Sequence, residues 1–160
     1  MKIFQLLSIS ILAIALTMGA CKKDDDSKSA RDILIEGQWD LTAAKVNPGI
    51  EVFPGVVISD LLIDEEPCDA DDLTIFNADG TATGDEGATK CDPSDPQTYS
   101  NGTWSLSSDE KQLTIDFDGE EITFNIASIT DTQLVLTASA DSVDPDYPST
   151  STITFTFVKK

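Results

Sequence analysis

The side chains of this sequence that could bind a metal ion or react with a substrate are mainly its carboxylates and its three cysteines. Asp64-Glu65-Glu66, Asp69, Asp71 and Asp72 crowd around Cys68. Carboxylate oxygens are the hard ligands that Ca²⁺ prefers. The segment lacks an Asp-x-Asp-x-Asp-Gly-like calcium loop, however. A solvated acidic surface is therefore the competing interpretation, and no metal ligand is assigned.

The same residue types argue against catalysis. The sequence contains no histidine, which removes Ser-His and Cys-His nucleophilic arrangements, and no cysteine lies in a Cys-x-x-Cys redox motif. A pair of carboxylates of the glycosidase type stays open, but no two of the 29 acidic residues stand out. We therefore predict a protein that is not an enzyme and has no catalytic residue and no cofactor.

The N-terminal leader ends at a cysteine. Residues 1–20 carry Lys2, an apolar run and small residues, as a secretory signal peptide does. The run is too short for a transmembrane helix, which needs about 20 apolar residues. Met18-Gly19-Ala20-Cys21 resembles the lipobox of bacterial lipoproteins, which implies cleavage before Cys21 and its acylation by fatty acids such as palmitate. A plain secreted protein with an incidental Cys21 is the alternative.

The segment that follows, residues 21–33, begins as a polar and acidic tether. Asp24-Asp25-Asp26 resembles the acidic export tag of surface lipoproteins in one group of Gram-negative bacteria, and a simple spacer is the other interpretation. We predict a protein anchored covalently in the outer membrane, at the cell surface or else facing the periplasm.

The formal net charge of −19 limits the possible partners. Nucleic acids are bound by Lys and Arg side chains that neutralise phosphates, and no basic patch exists here. The same negative field repels anionic lipid headgroups, so attachment to the membrane must depend on the lipid. Nucleic-acid binding is excluded, and the membrane is a predicted partner only through the anchor.

Export would place Cys68 and Cys91 in an oxidising compartment. With Cys21 assigned to lipid, these two form an even pair, and we predict a disulfide between them. The bond would connect the residue 50–63 region to the polar segment near residue 90. Free thiols and a metal site are the alternatives.

Strands must position these residues, and two of them are marked by a repeated pattern. Gly37-Gln38-Trp39-Asp40-Leu41 and Gly102-Thr103-Trp104-Ser105-Leu106 share the form Gly-x-Trp-x-Leu and contain both tryptophans of the chain. Side chains alternate along a strand, so Trp and Leu share one face. We expect both indoles in one core, with a short helical turn over residues 30–36, capped by Ser29, folding onto one end.

Apolar alternation predicts eight strands, with a polar loop over residues 84–101 and another over 141–149. Asp118-Gly119 is a signal for a two-residue type I′ turn, which fixes the register of its hairpin. Residues 50–63 are apolar without a period, and we interpret them as a long packed loop or lid. The expected strands cover 38–46, 72–77, the residues from 81, and those around 104, 113–117, 122–126, 134–136 and 150–158. The expected partners in the hairpin are Phe117 with Glu120, Ile115 with Ile122, and Leu113 with Phe124.

Eight short sequential strands without βαβ spacing predict an all-β fold, an eight-stranded up-and-down antiparallel barrel. The order of Gly37-x-Trp39, Phe76-x-x-Asp79-Gly80-Thr81, Gly102-x-Trp104-x-Leu106 and Phe155-x-Phe157 resembles the lipocalin-like domains of bacterial lipoproteins. The resemblance covers residues 34–160. It also implies a basic side chain stacked on the first tryptophan, a role that strand closure assigns to Lys159.

A lipocalin-like barrel implies a cavity that binds a small apolar or amphipathic ligand. The same inward residues would also fill a solid interior, and the protein would then be a structural or interaction module that contacts a protein or glycan partner at the cell surface. A cavity above about 300 Å³ favours a ligand, whereas exposed apolar residues at 50–63 favour a partner surface. The candidate lining residues are Leu41, Trp104, Leu106, Ile115, Phe117, Ile122, Phe124, Leu136 and Phe155.

Overall fold

The computed structural model describes residues 28–117 and 119–160. Two short helices, α1 (Ala30–Ile35) and α2 (Ala140–Val143), accompany nine strands in this part of the chain. Neither described helix is long and apolar enough to cross a membrane. The strands are β1 (Gln38–Phe53), β2 (Val56–Asp60), β3 (Leu73–Phe76), β4 (Thr81–Asp85), β5 (Thr98–Leu106), β6 (Gln112–Phe117), β7 (Glu120–Ile129), β8 (Gln133–Ser139) and β9 (Thr152–Lys159).

Eight of these strands close into an antiparallel barrel. The strands from β3 to β9 pair in chain order, and β1 pairs with both β3 and β9. Trp39 lies opposite Lys159 in the closing ladder. Each barrel strand therefore has two hydrogen-bonded neighbours, which confirms the predicted up-and-down barrel.

The register of the β6–β7 hairpin is the one that its turn predicts. A two-residue connection leaves no room for slippage, so the residues that flank it must face each other. Asp118 itself lies outside the described residues. The observed partners are Phe117 with Glu120, Ile115 with Ile122, and Leu113 with Phe124.

Helix α1 covers one end of the barrel, called the closed end below. Ser29 caps it by accepting a hydrogen bond from the Asp32 backbone N–H at 3.1 Å, and the Asp32 carboxylate completes a capping box. Leu34 is fully buried, and its carbonyl accepts a hydrogen bond from Trp39 Nε1 at 3.0 Å. The predicted helical turn is confirmed, and it plugs the barrel beside the first tryptophan.

The second tryptophan lies in the same core. Trp104 is 4 % exposed, and its ring meets Phe76 edge-on with centroids 5.4 Å apart. Its Nε1 donates to the Asn77 carbonyl at 2.9 Å. Trp39 and Trp104 belong to one apolar cluster, so the expectation of a shared interior is confirmed.

The prediction of a packed lid over residues 50–63 is wrong. Strand β1 continues to Phe53, turns through Pro54-Gly55 and pairs with β2 in a hairpin that extends β1 beyond the barrel. The first strand was predicted to end at residue 46, but a register shift between Lys45 and Ile50 accommodates Asn47-Pro48-Gly49 within the longer strand. Because the apolar residues alternate poorly, sequence patterning could not distinguish a two-sided hairpin from a loop.

The structure also corrects two smaller predictions, the inward face of β1 after Leu41 and the length of the polar loop over 84–101. A second register shift, between Leu41 and Ala43, turns Ala44 rather than Ala43 to the inner face. The expected polar loop over 84–101 is shorter, because β4 reaches Asp85 and β5 begins at Thr98. Leu41 lines the barrel interior, and β1 stays paired with β9 through Asn47.

Candidate ligand-binding site

A cavity of about 440 Å³ occupies the half of the barrel away from α1. This volume lies within the range of small-molecule sites, about 300–1,000 Å³. Its wall is mostly apolar, with carboxylates and one tyrosine. The lining residues are Leu41, Glu65, Asp69, Asp72, Leu73, Thr74, Tyr99, Ile115, Phe117, Glu120, Ile122, Phe124, Leu136, Phe155 and Phe157.

Seven of the nine predicted lining residues meet at this cavity. They come from β1, β6, β7, β8 and β9, and each lies on the inner face of its strand. Phe124 and Phe155 form an edge-on pair with centroids 5.6 Å apart, which makes a rigid part of the wall. The seven are Leu41, Ile115, Phe117, Ile122, Phe124, Leu136 and Phe155.

Trp104 and Leu106 do not line the cavity. Strand β5 runs from the open end at Thr98 to the closed end at Leu106, so both side chains pack in the plugged half of the barrel. They face inward as predicted, but at the wrong depth. Alternation along a strand determines the face of a side chain and not its height in the barrel.

The carboxylates reach the cavity because β1 and β3 separate early. Their ladder contains only Gln38–Asp40 against Leu73–Ile75, and beyond it β1 pairs with β2 instead. The connection between β2 and β3 then runs along the opening and brings Glu65, Asp69 and Asp72 to its edge. The mouth of the cavity is therefore acidic, and its interior is apolar.

A disulfide holds this acidic connection in place. Cys68 is bonded to Cys91, with Cα atoms 5.2 Å apart, so the β2–β3 connection is tied to the β4–β5 loop. Asp71 strengthens the link by accepting hydrogen bonds from the Ala88 N–H at 2.7 Å and the Thr89 N–H at 3.0 Å. These bonds, with the Thr89 hydroxyl first among them, hold the pKa of Asp71 below its ordinary value.

Asp72 is the least well solvated of the mouth carboxylates. Burial, reinforced by the negative charge of Glu86, raises its pKa to about 6, and the nearby Tyr99 hydroxyl offsets part of that rise. Burial and the Asp72 charge raise the pKa of Tyr99 to about 12. The pKa of Glu65 is also raised, first by burial and then by Asp69.

A metal site at the cysteines does not fit the bonding. Glu66, Cys68 and Cys91 bring three possible ligand atoms within 4.8 Å of one another, and they are the one such group among the described residues. The two sulfurs are bonded to each other, so neither is a thiolate that could bind a metal ion.

The predicted cation–π contact between Lys159 and Trp39 is not found among the residues that the structure describes. Arg31 makes such a contact with the other tryptophan: its guanidinium carbon lies 4.9 Å from the centroid of the Trp104 ring. Lys159 is the register partner of Trp39, but its Nζ lies 3.8 Å from Glu36 Oε2. Helix α1 supplies the arginine, which the strand pattern could not indicate.

Tyr99 and Glu120 line the cavity although neither was a predicted lining residue, and three of the acids at 64–72, for which a calcium site and a solvated surface were both open, lie at its mouth. Glu120 could have been found, since the β6–β7 register places it opposite Phe117 on the inner face. Tyr99 gave no such signal, because its segment resembled a polar loop. Cys21, the predicted lipidation site, lies outside the described residues.

Comparison with known proteins adds one match. A family model described as a lipocalin-like domain matches residues 35–136, from the end of α1 into β8. No curated protein matches the chain.

Proposed function

The chain belongs to the lipocalin-like domain family, and on that premise we propose that it is a lipid-anchored, non-catalytic protein that binds a small apolar or amphipathic ligand inside its barrel. The observation that carries the proposal is the cavity of about 440 Å³. A barrel of eight strands is just wide enough to be filled by side chains or to hold one small ligand. Here the half below α1 is filled and the other half is not.

The anchor is proposed from the lipobox-like sequence that ends at Cys21. The first described residues lie at the closed end of the barrel, where Lys28 Nζ pairs with Glu36 Oε2 at 2.6 Å and with Asp131 Oδ1 at 2.9 Å. A chain tethered there would hold the closed end toward the membrane and the cavity away from it. The outer membrane, with the barrel at the cell surface or else in the periplasm, is the proposed location.

Substitution of the anchor residue tests the location. We expect Cys21→Ser to abolish labelling by an alkyne analogue of palmitate and to move the protein from the membrane fraction to the soluble fraction. Cys68→Ser, which alters a cysteine inside the barrel domain, should leave the labelling intact. Labelling that persists in Cys21→Ser would refute acylation at this residue.

Native mass spectrometry of protein purified from its own source tests ligand binding. We expect a retained small molecule in the wild type and its loss in Ile122→Trp, because the larger ring would occupy the cavity. Thr123→Trp is the matched control, since Thr123 is the exposed neighbour on the outer face of β7. Equal ligand retention in both variants would argue against the cavity as the binding site.

A specific observation also favours a second candidate, a surface that contacts a protein or glycan partner. The β1–β2 hairpin exposes apolar side chains outside the barrel: Phe53 is 70 % exposed and Val57 64 %. Ile63, in the connection that follows β2, is 66 % exposed. Exposed apolar patches of this kind commonly mark interaction sites. We propose this hairpin as the partner surface.

Photo-crosslinking on intact cells separates the two candidates. A benzoylphenylalanine placed at Phe53 should give a discrete adduct if the hairpin has a partner, whereas the same group at Thr123 should not. Ile122→Trp should leave that adduct unchanged. An adduct pattern identical at Phe53 and Thr123 would remove the support for a partner surface.

A further inference from the structure

We infer that the ligand of this cavity is a cationic amphiphile, with its apolar chain inside the barrel and its positive group at the carboxylates of the mouth. The inference rests on the proposed function, because it names the chemical class of a ligand for the same cavity. It is carried by the distribution of charge around the cavity and by one buried oxygen atom.

The mouth of the cavity is negatively charged. Four carboxylates line the cavity, and none of the described residues that line it is basic. Tyr99 adds a hydroxyl, and every other lining side chain is apolar except Thr74. An uncharged ligand would contact the apolar wall but would leave the carboxylates at the mouth without an oppositely charged partner. The four acids are Glu65, Asp69, Asp72 and Glu120.

One carboxylate oxygen of Asp72 lacks a hydrogen-bond partner. Its Oδ1 atom is buried and has no hydrogen-bond partner among the described residues. Buried polar atoms are nearly always paired, because an unpaired one forfeits its interaction with water. A donor that also carries positive charge would satisfy this oxygen and the carboxylate together. An ammonium or guanidinium group of a ligand has both properties.

The surroundings of Asp72 supply no such donor from the protein. The groups that face it are Glu86, Asp69 and Asp71, all acidic, and Tyr99, whose hydroxyl moderates the effect only in part. Lys160, the cation that interacts with Asp71, has Nζ 2.7 Å from Asp40 Oδ2 and is paired there. The negative charge at the mouth is therefore uncompensated within the described chain.

Hydrogen bonds and the disulfide hold the acidic β2–β3 connection in place. The Asp69 N–H donates to the Glu66 carbonyl at 3.0 Å, and the Asp72 N–H donates to the Asp69 carbonyl at 3.1 Å. The bond between Cys68 and Cys91 fixes these turns against the neighbouring loop. Carboxylates held in place before binding lose little conformational entropy when a ligand arrives.

The same features disfavour a ligand with a negatively charged group. A fatty acid would bring its carboxylate against four others, and it would raise the cost of burying the Asp72 charge. A long-chain alcohol would avoid the repulsion but would gain no attraction. The order of affinity is therefore cation, then neutral, then anion.

Isothermal titration calorimetry with three matched probes tests this order. The mature chain carries Cys21→Ser so that it stays in water without detergent, and the buffer contains EDTA so that calcium does not occupy the carboxylates. We expect decylammonium to bind about tenfold more tightly than decanol, and decanoate about tenfold more weakly than decanol. Equal affinities, or tightest binding of decanoate, would overturn the inference and leave the proposed function intact. Failure of all three probes to bind would overturn both.

Variants then assign the effect to the mouth. Asp72→Asn and Glu120→Gln should weaken decylammonium binding about tenfold and leave decanol binding unchanged. Glu121→Gln removes an equal charge from the outer face of β7 and is the matched control. The wild-type affinity for decylammonium should fall below about pH 6, where Asp72 takes up a proton, and this dependence should be weaker in Asp72→Asn, which keeps Glu65, whose pKa is also raised. Equal losses in Glu121→Gln and Asp72→Asn would contradict the assignment.

Discussion

At the scale of single residues, Gly102 shows why the Gly-x-Trp-x-Leu pattern begins with glycine. A Cβ atom at this position would collide with the Asp116 carbonyl oxygen on β6 and would lie 2.7 Å from Phe117 Cδ1. The backbones of β5 and β6 approach too closely here for any side chain. The glycine is thus required by packing around the second tryptophan, and this requirement can be measured.

Gly102→Ala is expected to lower the free energy of unfolding by about 3 kcal/mol, because a backbone oxygen cannot move aside as a flexible side chain can. Gly55→Ala is the comparison: it has a φ of 80° but no atom within 4 Å of the new Cβ, so its loss should be about 1 kcal/mol. Urea unfolding measures both. Similar losses in the two variants would show that β6 yields to the methyl group.

Because the pKa of Asp72 is raised, replacing Asp72 by the neutral asparagine should increase the stability of the fold by an amount that depends on pH. Its ordinary value is 3.8 and its folded value is about 6, so folding favours the protonated form. Its contribution to stability is complete below about pH 4 and is lost as the pH rises through about 6. After allowance for partial exposure to solvent, Asp72→Asn should be about 1 kcal/mol more stable than wild type at about pH 8.

Urea unfolding across the pH range measures this difference, which should disappear near pH 4. Other carboxylates titrate in the same range, but they are common to both proteins and cancel in the comparison. Asp146→Asn, a change at an exposed acid outside the cavity, should show no such trend. A gain that does not vary with pH would point to something other than the Asp72 charge.

At the scale of elements, the disulfide should account for much of the order of the β2–β3 connection. This connection has no strand pairing of its own between Asp60 and Leu73, and the Cys68–Cys91 bond closes a loop with a sequence separation of 23. The double variant Cys68→Ser, Cys91→Ser should be less stable by about 3 kcal/mol in the chain-entropy model.

Treatment of the wild type with a reductant provides the control. The intact mass should rise by two hydrogens, and the reduced wild type should match the double variant in urea unfolding. An unchanged mass on reduction would mean that the bond is not formed in the isolated protein.

At the scale of the whole molecule, the net charge of −19 predicts that salt stabilises the fold. Like charges repel more in the compact state, and salt screens them. Raising NaCl from about 10 mM to about 500 mM should increase the free energy of unfolding in urea by about 1 kcal/mol. No increase would mean that the surface acids are already well separated.

Calcium chloride at the same ionic strength tests the alternative raised for the acidic segment. Screening alone should make the effects of the two salts nearly equal. A larger stabilisation by calcium would indicate binding to carboxylates, because a ligand that binds only the folded state adds to its stability.

Sequence patterns were enough to predict the order of the barrel strands, the register of β6 and β7, the cap on α1 and the inward face of nearly every candidate residue. These follow from local rules: alternation along a strand, a two-residue turn, and a serine followed three residues later by an acid. Even the pairing of Cys68 with Cys91 follows from counting cysteines. Apart from the cysteine count, which uses the whole sequence, each of these rules acts over a few residues and can be applied without knowing the fold.

The depth of a side chain in the barrel and its contacts with distant segments could not be predicted from sequence patterns. Trp104 and Ile122 both face inward, yet one packs under α1 and the other lines the cavity, because the height of a residue depends on where the barrel is plugged. The acids at the mouth arrive from a connection that β1 exposes by leaving β3 to pair with β2. These features depend on contacts between distant segments of the chain, and the hydrophobic periodicity within one segment does not indicate such contacts.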